Sequence, residues 1–461
     1  MIKYTPEQHD VIDHMLIEDG ILLVGAGAGT GKTFLSESVV RKLAPRSTLY
    51  TAFNKAIVAE GEARFAGLGV TCKTFHALAH SFVKPKRDIN DLAYACIKEK
   101  ISYKDKYAII TAINDFYVSA SVDMYEFMQE HLETAKLRSL AVMYIEMMIH
   151  EKIDPTFNFM LKYFHIMLAN GSVTCKYDLV ILDEINDTTA VALEIFKLIQ
   201  APKKLGLGET HQAIYDFLNL VNGFEELKDV PILNLTHSFR CSKPVAHGIQ
   251  EFMRRHVDKQ FKFTGTDTPV KNGKTLYCTL TNAKIIMRIQ EMIAAGLGFT
   301  LLRNISEIFA YPMAITTAGQ GKEVYHKKYK FLEDEYKEYI KINAKGVSFY
   351  QHLLEYVDDQ DTKSAVNLLL HLARKGTNLF GLYKEAKEVV PDPSYTIATV
   401  YTSKGLEYET VDIAHDIETR IEGILDKGGI QSHEDLVAFR CAYVACSRAG
   451  PDLRSGKLLA L

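Results

Sequence analysis

Apolar runs and helical periodicity alternate along much of this chain. Ile21 to Val24 predicts a buried strand, and Phe34 to Leu43 a helix after it. Thr48 to Phe53 predicts a second strand and Asn54 to Phe65 a helix. Val70 to Lys73 predicts a short third strand, before a helix opened by Thr74-Phe75-His76-Ala77-Leu78. From about Phe82 to Met167 the strand signals fade, and the segment reads as a helical insertion. Its Met and aromatic run from Met143 to Met167 reads as helix core. Strands return at Tyr177 to Leu182, with a helix expected from near Thr188, and again from Leu205. Strand and helix in alternation predict an α/β fold with parallel sheets.

The junction of the first strand and helix carries chemistry. Gly25 to Phe34 reads GAGAGTGKTF. A strand, a Gly-rich turn ending in Gly-Lys-Thr, and a helix make a phosphate-binding loop. Its glycines let backbone N–H groups approach an anion, and the helix start adds partial positive charge. Lys32 would reach the β- and γ-phosphates, and Thr33 would hold Mg²⁺. The strict pattern begins with Gly where this chain has Ala26. A Gly-rich turn without a ligand is the plain alternative, and the agreement of strand, loop, Lys-Thr and helix disfavours it.

The strand ending at Leu182 is followed by Asp183-Glu184-Ile185-Asn186-Asp187. Carboxylates at the end of a buried strand are costly without work or partners. Beside a phosphate loop, Asp183 can hold Mg²⁺ through water, and Glu184 can orient and deprotonate an attacking water. A cluster capping the next helix is the competing reading. In Gly208-Glu209-Thr210-His211-Gln212-Ala213-Ile214-Tyr215-Asp216-Phe217, Gln212 could sense a γ-phosphate and Phe217 could stack on a base, although an aromatic there is more often core. Thr51, Asn54, Lys55, Thr74 and His76 fall at strand-to-helix turns, where an open α/β sheet places ligands. Taken singly, each reads as a cap or a solvated residue. Thr5-Pro6-Glu7-Gln8 opens a helix, and Gln8 suits a capping box better than the alternative, pairing with an adenine edge.

Composition adds limits. With 461 residues the chain makes two to four folding units. It has 47% hydrophobic and 24% charged residues, the balance of an ordinary globular protein. No apolar stretch is long enough to span a bilayer and the start lacks a signal pattern, so a cytoplasmic location without membrane association is expected. Seven scattered cysteines with no C-x-x-C pair argue against a zinc site or a disulfide framework. A formal charge of −3 gives no overall basic signature, but a local groove can still be basic.

The order of these motifs resembles the UvrD/Rep-like superfamily 1 DNA helicases, nearest their F-box helicase-like branch. TPEQ looks like the family's adenine-reading motif, and AGAGTGKT like its phosphate loop, which also tolerates Ala in first place. FNKAI and TFHALA resemble its first DNA-contacting motifs, DEIND its DEAQD, and GETHQAIYDF its GDxxQxIYxF. Further on, LTHSFRC is similar to LxxNYRS, TLLRNISEI to a strand-plus-Arg-x-Asn element, TVYTSKGLEYETV to TxHxSKGLEF, and RCAYVACSRA to RLLYVAxTRA.

The resemblance implies two RecA-like P-loop NTPase domains, each a parallel sheet flanked by helices with a mainly helical insertion. The first domain would comprise 1–81 and 168–234, with insertion 82–167. The second would comprise 235–308 and 393–461, with a short insertion 309–392. ATP and Mg²⁺ would occupy the cleft between the domains. Gln8, Ala26, Gly27, Ala28, Gly29, Thr30, Gly31, Lys32, Thr33, Phe239, Gly405 and Glu407 would bind the nucleotide, with Lys404 nearby. Thr33 and Asp183 would hold the metal. Lys32, Glu184, Gln212, Arg240 and the arginine finger Arg448 would be catalytic, with Tyr443 in packing. Phe53, Asn54, Lys55, Thr74, His76, Tyr215 and Phe217 would contact single-stranded DNA.

The implied activity is an ATP-dependent, 3′-to-5′ translocase and helicase in DNA replication, repair or recombination. It would act as a monomer on single strands and ss/dsDNA junctions, with replication or recombination proteins as further partners. Its rivals are a translocase that strips proteins without unwinding and a nucleotide-gated DNA-binding module. Glu184 argues against the second.

Overall fold

The computed structural model describes residues 4–52, 55–92, 96–215, 220–342, 346–357 and 359–461. The chain divides into two compact units, Met1–Thr236 and His237–Leu461.

In the first unit the chain runs α1 (Pro6–Ile17), β1 (Gly20–Ala26), α2 (Lys32–Leu43), β2 (Thr48–Ala52), α3 (Lys55–Arg64), β3 (Val70–Thr74) and α4 (Phe75–Val83). Four helices follow: α5 (Tyr103–Val118), α6 (Met124–His131), α7 (Ala135–Ile149) and α8 (Phe157–Ala169). The chain then makes β4 (Leu179–Asp183), β5 (Thr188–Thr189), α9 (Ala190–Leu198), β6 (Lys203–Gly208), β7 (Leu220–Val221), α10 (Gly223–Glu226) and β8 (Ile232–Leu235). Six strands form one parallel sheet in the order β3-β2-β4-β6-β1-β8.

Its strands read as nearly continuous apolar runs because both faces are covered. In β1, Leu22 and Val24 pack with Val11 and Leu35 on one face. Leu23 packs with Val180, Val191 and Phe196 on the other. Helix α8 serves two cores. Leu161 and Phe164 join the sheet's core, whereas Phe159 and Met160 join a separate helical core with Ile113, Phe116 and Tyr144. The Met and aromatic run therefore is core, as its spacing predicts.

Two boundaries differ from the pattern. Helix α2 starts at Lys32, ahead of the expected Phe34, because Gly31 takes the N-cap at φ +86°. The helix expected near Thr188 begins at Ala190. Before it the chain makes a 3₁₀ turn, Ile185–Asp187, and β5 pairs antiparallel with β7. Thr189 caps α9 by accepting from the Ala192 N–H.

The second unit begins with β9 (His237–Ser242), α11 (Lys243–His256), β10 (Thr264–Thr266), β11 (Thr275–Thr279), α12 (Asn282–Ala294) and β12 (Thr300–Leu301). Helices α13 (Ile305–Gly319), α14 (Phe331–Ile342), α15 (Phe349–Tyr356), α16 (Gln360–Arg374) and α17 (Leu379–Glu388) follow. The chain closes with β13 (Tyr395–Thr399), α18 (Val400–Ser403), β14 (Tyr408–Ile413), α19 (His415–Leu425), α20 (His433–Cys446) and β15 (Ala449–Arg454). Its main sheet is parallel, in the order β12-β13-β11-β14-β15. Here the helical block shares a core with the sheet's own elements. Phe309, Leu353 and Leu369 share one cluster with Ile286 of α12 and Ile397 of β13. The architecture is that of two RecA-like α/β units.

Candidate functional site

The sheet order of the first unit places β4, β6 and β1 side by side, all pointing the same way. Their carboxyl ends therefore deliver three loops to one edge: Gly27–Gly31 after β1, Asp183-Glu184 after β4, and Glu209 to Gln212 after β6. Ligands of open parallel sheets bind at such edges. Gly29 and Gly31 are left-handed, at φ +72° and +86°, where a side chain would strain the loop. Thr30 is buried and braces the loop, its hydroxyl donating to the Gly27 carbonyl at 2.8 Å.

Lys32 opens α2 and pairs with the Glu184 carboxylate. Burial alone would lower the ammonium's pKa. The nearby carboxylates of Glu184, Asp183 and Glu209 outweigh that and raise it, so Lys32 is charged. Glu184 has φ +54°, a left-handed conformation that costs a non-Gly residue of order 1 kcal/mol. That turn sends the chain sharply off the end of β4 into the 3₁₀ turn.

Asp183, only 4% exposed, accepts from the Tyr50 hydroxyl at 2.6 Å through Oδ2 and from the Glu184 N–H at 2.9 Å through Oδ1. Burial pushes its carboxyl up and the Glu184 charge adds to that, while Lys32 and the two hydrogen bonds pull it down. Each oxygen keeps a further lone pair, so a hard, oxygen-seeking cation such as Mg²⁺ suits this carboxylate together with the Thr33 hydroxyl in the first turn of α2.

The third loop is braced from within. Gln212 is buried, and its amide donates to the Glu209 carboxylate. The Glu209 N–H donates to Asn186 Oδ1 at 2.8 Å, tying this loop to the one after β4. Ile185 is fully buried, and three glycines make room for it. A Cβ on Gly206, Gly208 or Gly223 would come within 2.8, 3.2 or 2.4 Å of its side chain.

Gln8 is buried and completes the capping box with Thr5. Its Nε2 also donates to the Thr30 carbonyl at 3.5 Å, linking α1 to the phosphate loop. Beside it, the Glu7 carboxylate accepts from both the N–H and the hydroxyl of Thr236, at 2.8 and 2.6 Å.

Among the DNA candidates, Phe53, Asn54 and Phe217 lie outside the described residues. Lys55 is exposed at the start of α3. Thr74 is the N-cap of α4, accepting from the Ala77 N–H at 3.2 Å, and so has the capping role its spacing allows. His76 is half-buried, with Nε2 3.1 Å from Asn158 Oδ1, and burial holds its pKa below the usual imidazole value. Tyr215 is half-buried after β6.

The second unit gathers its own candidates around Ser447. The Arg240 guanidinium donates to the Ser447 carbonyl at 2.9 Å and pairs with Glu407 at 3.4 Å. Arg448, only 1% exposed, donates to the Ser447 hydroxyl at 3.0 Å and to the Val444 carbonyl at 2.9 Å. Gly405 is left-handed at φ +87°, in the turn ahead of Leu406 and Glu407, and Lys404 is half-buried there. Phe239 is 44% exposed, edge-on to His237. Tyr443 is buried against Phe261 and Phe263, a packing residue. Sequence reasoning missed Tyr50, Glu7 and Ser447. Asp183, Thr236 and Arg240, which they meet, lie far along the chain, and the only signal was a polar group at a strand, a cap or a helix end.

A family model described as an AAA domain matches residues 8–218. The chain is 24% identical to F-box DNA helicase 1 of Gallus gallus, over 90% of this chain and 45% of that protein. It is 23% identical to F-box DNA helicase protein 1 of Schizosaccharomyces pombe, over 96% of this chain and 56% of that protein. The chain thus spans about half the length of the curated relatives it matches.

Proposed function

We propose that this chain, a relative of the UvrD/Rep-like superfamily 1 helicases on the side of the F-box DNA helicases, hydrolyses ATP to move along single-stranded DNA and open ss/dsDNA junctions. The observation that carries this reading is the convergence of Lys32, Asp183, Glu184 and Gln212 on adjacent strand ends, with Lys32 paired to Glu184.

In this reading the ion pair is a resting latch. A triphosphate carries more negative charge than one carboxylate, so it draws the Lys32 ammonium away. Glu184 is then free to take a proton from the attacking water. The oxygen of that water bonds to the γ-phosphorus, the bridging P–O bond breaks, and ADP keeps the bridging oxygen. Gln212, held by Glu209, senses the γ-phosphate. Thr33 and Asp183 would hold Mg²⁺, which supplies positive charge to the β- and γ-oxygens when bound. Arg240 and Arg448 are the second unit's cations for the charge that spreads in the transition state. Lys55, Thr74, His76 and Tyr215 belong to the DNA-contacting set, with Phe53, Asn54 and Phe217. The 3′-to-5′ direction, and a place in replication, repair or recombination, rest on the family resemblance.

One observation favours a second reading, a translocase that displaces bound proteins without useful unwinding. Residues of the 309–392 block share a core with α12 and β13, which ties the block to the sheet rather than to a duplex. Unwinding assays on 3′-tailed and 5′-tailed duplexes separate these readings. Activity only on 3′ tails supports the first, and DNA-stimulated ATPase without strand separation supports the second. Unwinding only from 5′ tails contradicts the proposed direction.

A further inference from the structure

We propose that Tyr50 is a positioning residue for the divalent cation: its phenol aims the Asp183 carboxylate at the metal that accompanies the nucleotide. This rests on the ATP–Mg²⁺ reading of the same site. Tyr50 lies on β2, next to β4, in the register that pairs Ala52 with Asp183 and Tyr50 with Ile181. Its side chain is 1% exposed, and its ring packs against Phe65 at 5.0 Å between centroids.

Three observations bear on this role. The first is the hydroxyl itself. Burying a phenol in an apolar core costs free energy that a Phe would avoid, unless the O–H finds a partner, and here it donates to Asp183 Oδ2 at 2.6 Å. The second is the other carboxylate oxygen. Oδ1 accepts from the Glu184 N–H at 2.9 Å, so the two bonds together define the plane of a group that could otherwise rotate. The third is α3. A Cβ on Gly61 would lie 2.6 Å from Cε1 and 2.9 Å from Cδ1 of the Tyr50 ring, so the helix is cut away where the ring passes.

A carboxylate ligand without such an anchor spends time in unproductive orientations. Partners that orient a metal ligand are typically worth roughly 10- to 100-fold in metal affinity. Nothing in the local sequence marks Tyr50 for this task, since its partner is 133 positions away.

The test is binding of a fluorescent ADP analogue across a Mg²⁺ titration, with wild type, Tyr50→Phe and Phe65→Leu. Tyr50→Phe keeps the ring and loses only the hydroxyl. Its Mg²⁺ midpoint should rise roughly tenfold, while nucleotide binding in EDTA and kcat at saturating Mg²⁺ stay near wild type. Phe65→Leu loosens the ring but leaves the hydroxyl, so it should lower Tm without moving the midpoint. In an Asp183→Asn background, Tyr50→Phe should add no further shift. An unmoved midpoint in Tyr50→Phe, or the same shift in Phe65→Leu, overturns the proposal while leaving the ATP site standing. A wild type whose nucleotide binding ignores Mg²⁺ overturns both.

Discussion

Each unit carries a strand, a turn and a helix on a parallel sheet, and the two turns are built for opposite purposes. In the first unit β1 runs into a loop with two left-handed glycines and then Lys32. In the second, β11 reaches α12 through Leu280 and Thr281 alone, and Thr281 caps the helix by accepting from the Lys284 N–H. That shorter turn is closed by an internal anion. The Asp416 carboxylate accepts from the Thr279 hydroxyl at 2.6 Å and the Leu280 N–H at 3.1 Å. Donors that the first unit's loop would offer to a phosphate are, in the second, given to a side chain of the same chain.

The charges are likewise reversed. The first unit holds one ammonium among the carboxylates of Asp183, Glu184 and Glu209. The second ties its arginines to the backbone and hydroxyl of Ser447. One architecture therefore supports two chemistries, and the loops decide which.

The sharpest way to break this contrast is Lys32→Ala. It should reduce ATP hydrolysis by at least about 100-fold in a phosphate-release assay, with unfolding temperature little changed. Arg448→Ala comes next. As a transition-state cation it should cost roughly 1,000-fold in kcat, and because its guanidinium also binds Val444 and Ser447 it should lower Tm as well. Loss of stability without loss of kcat would make Arg448 a structural residue. Asp416→Ala should destabilise the second unit by about 1–3 kcal/mol in denaturant unfolding, through orphaned donors, while ATP affinity is unchanged.

The smallest effect concerns the helical block of the first unit, which packs around its own core. Burial holds His165 down to about 4, from 6.5, with Lys162 and Lys197 adding to the shift. Folded His165 is thus neutral, and between these values only the unfolded chain takes up the proton. Its contribution is fully present above pH 6.5 and is lost as pH falls towards 4. His165→Gln should flatten that part of the Tm–pH curve, and an unchanged slope would count against it.

Much of the fold and of the candidate site was legible because it is local. A strand, a turn and a helix occupy consecutive residues, and the Gly-Lys-Thr and Asp-Glu groups fall at turns that the apolar runs already mark. Gln8 could be read either as a cap or as a reader of adenine, and the capping box is formed. What escaped depends on pairings between distant segments. Tyr50 meets Asp183 because β2 lies beside β4, and no spacing within β2 announces that neighbour. Asp416 meets Thr279 across 137 positions. Ile185 was visible as a departure from the family's Ala, but the glycines that accommodate it, Gly206, Gly208 and Gly223, lie 21 to 38 positions further on. The helical block after β12 was legible as helix, whereas its fusion with the core around Ile286 and Ile397 was not. Helical periodicity shows that a face is buried without saying against what.

The central claim is that the Lys32–Glu184 pair is the resting form of a hydrolytic site that DNA activates. It is tested most directly by steady-state ATPase at saturating ATP and Mg²⁺, with and without single-stranded DNA, for wild type and Glu184→Gln. DNA should strongly stimulate the wild type, and the variant should still bind ATP but turn over at least about 100 times more slowly in both conditions. Equal wild-type rates with and without DNA, or a Glu184→Gln enzyme as fast as wild type, would contradict it.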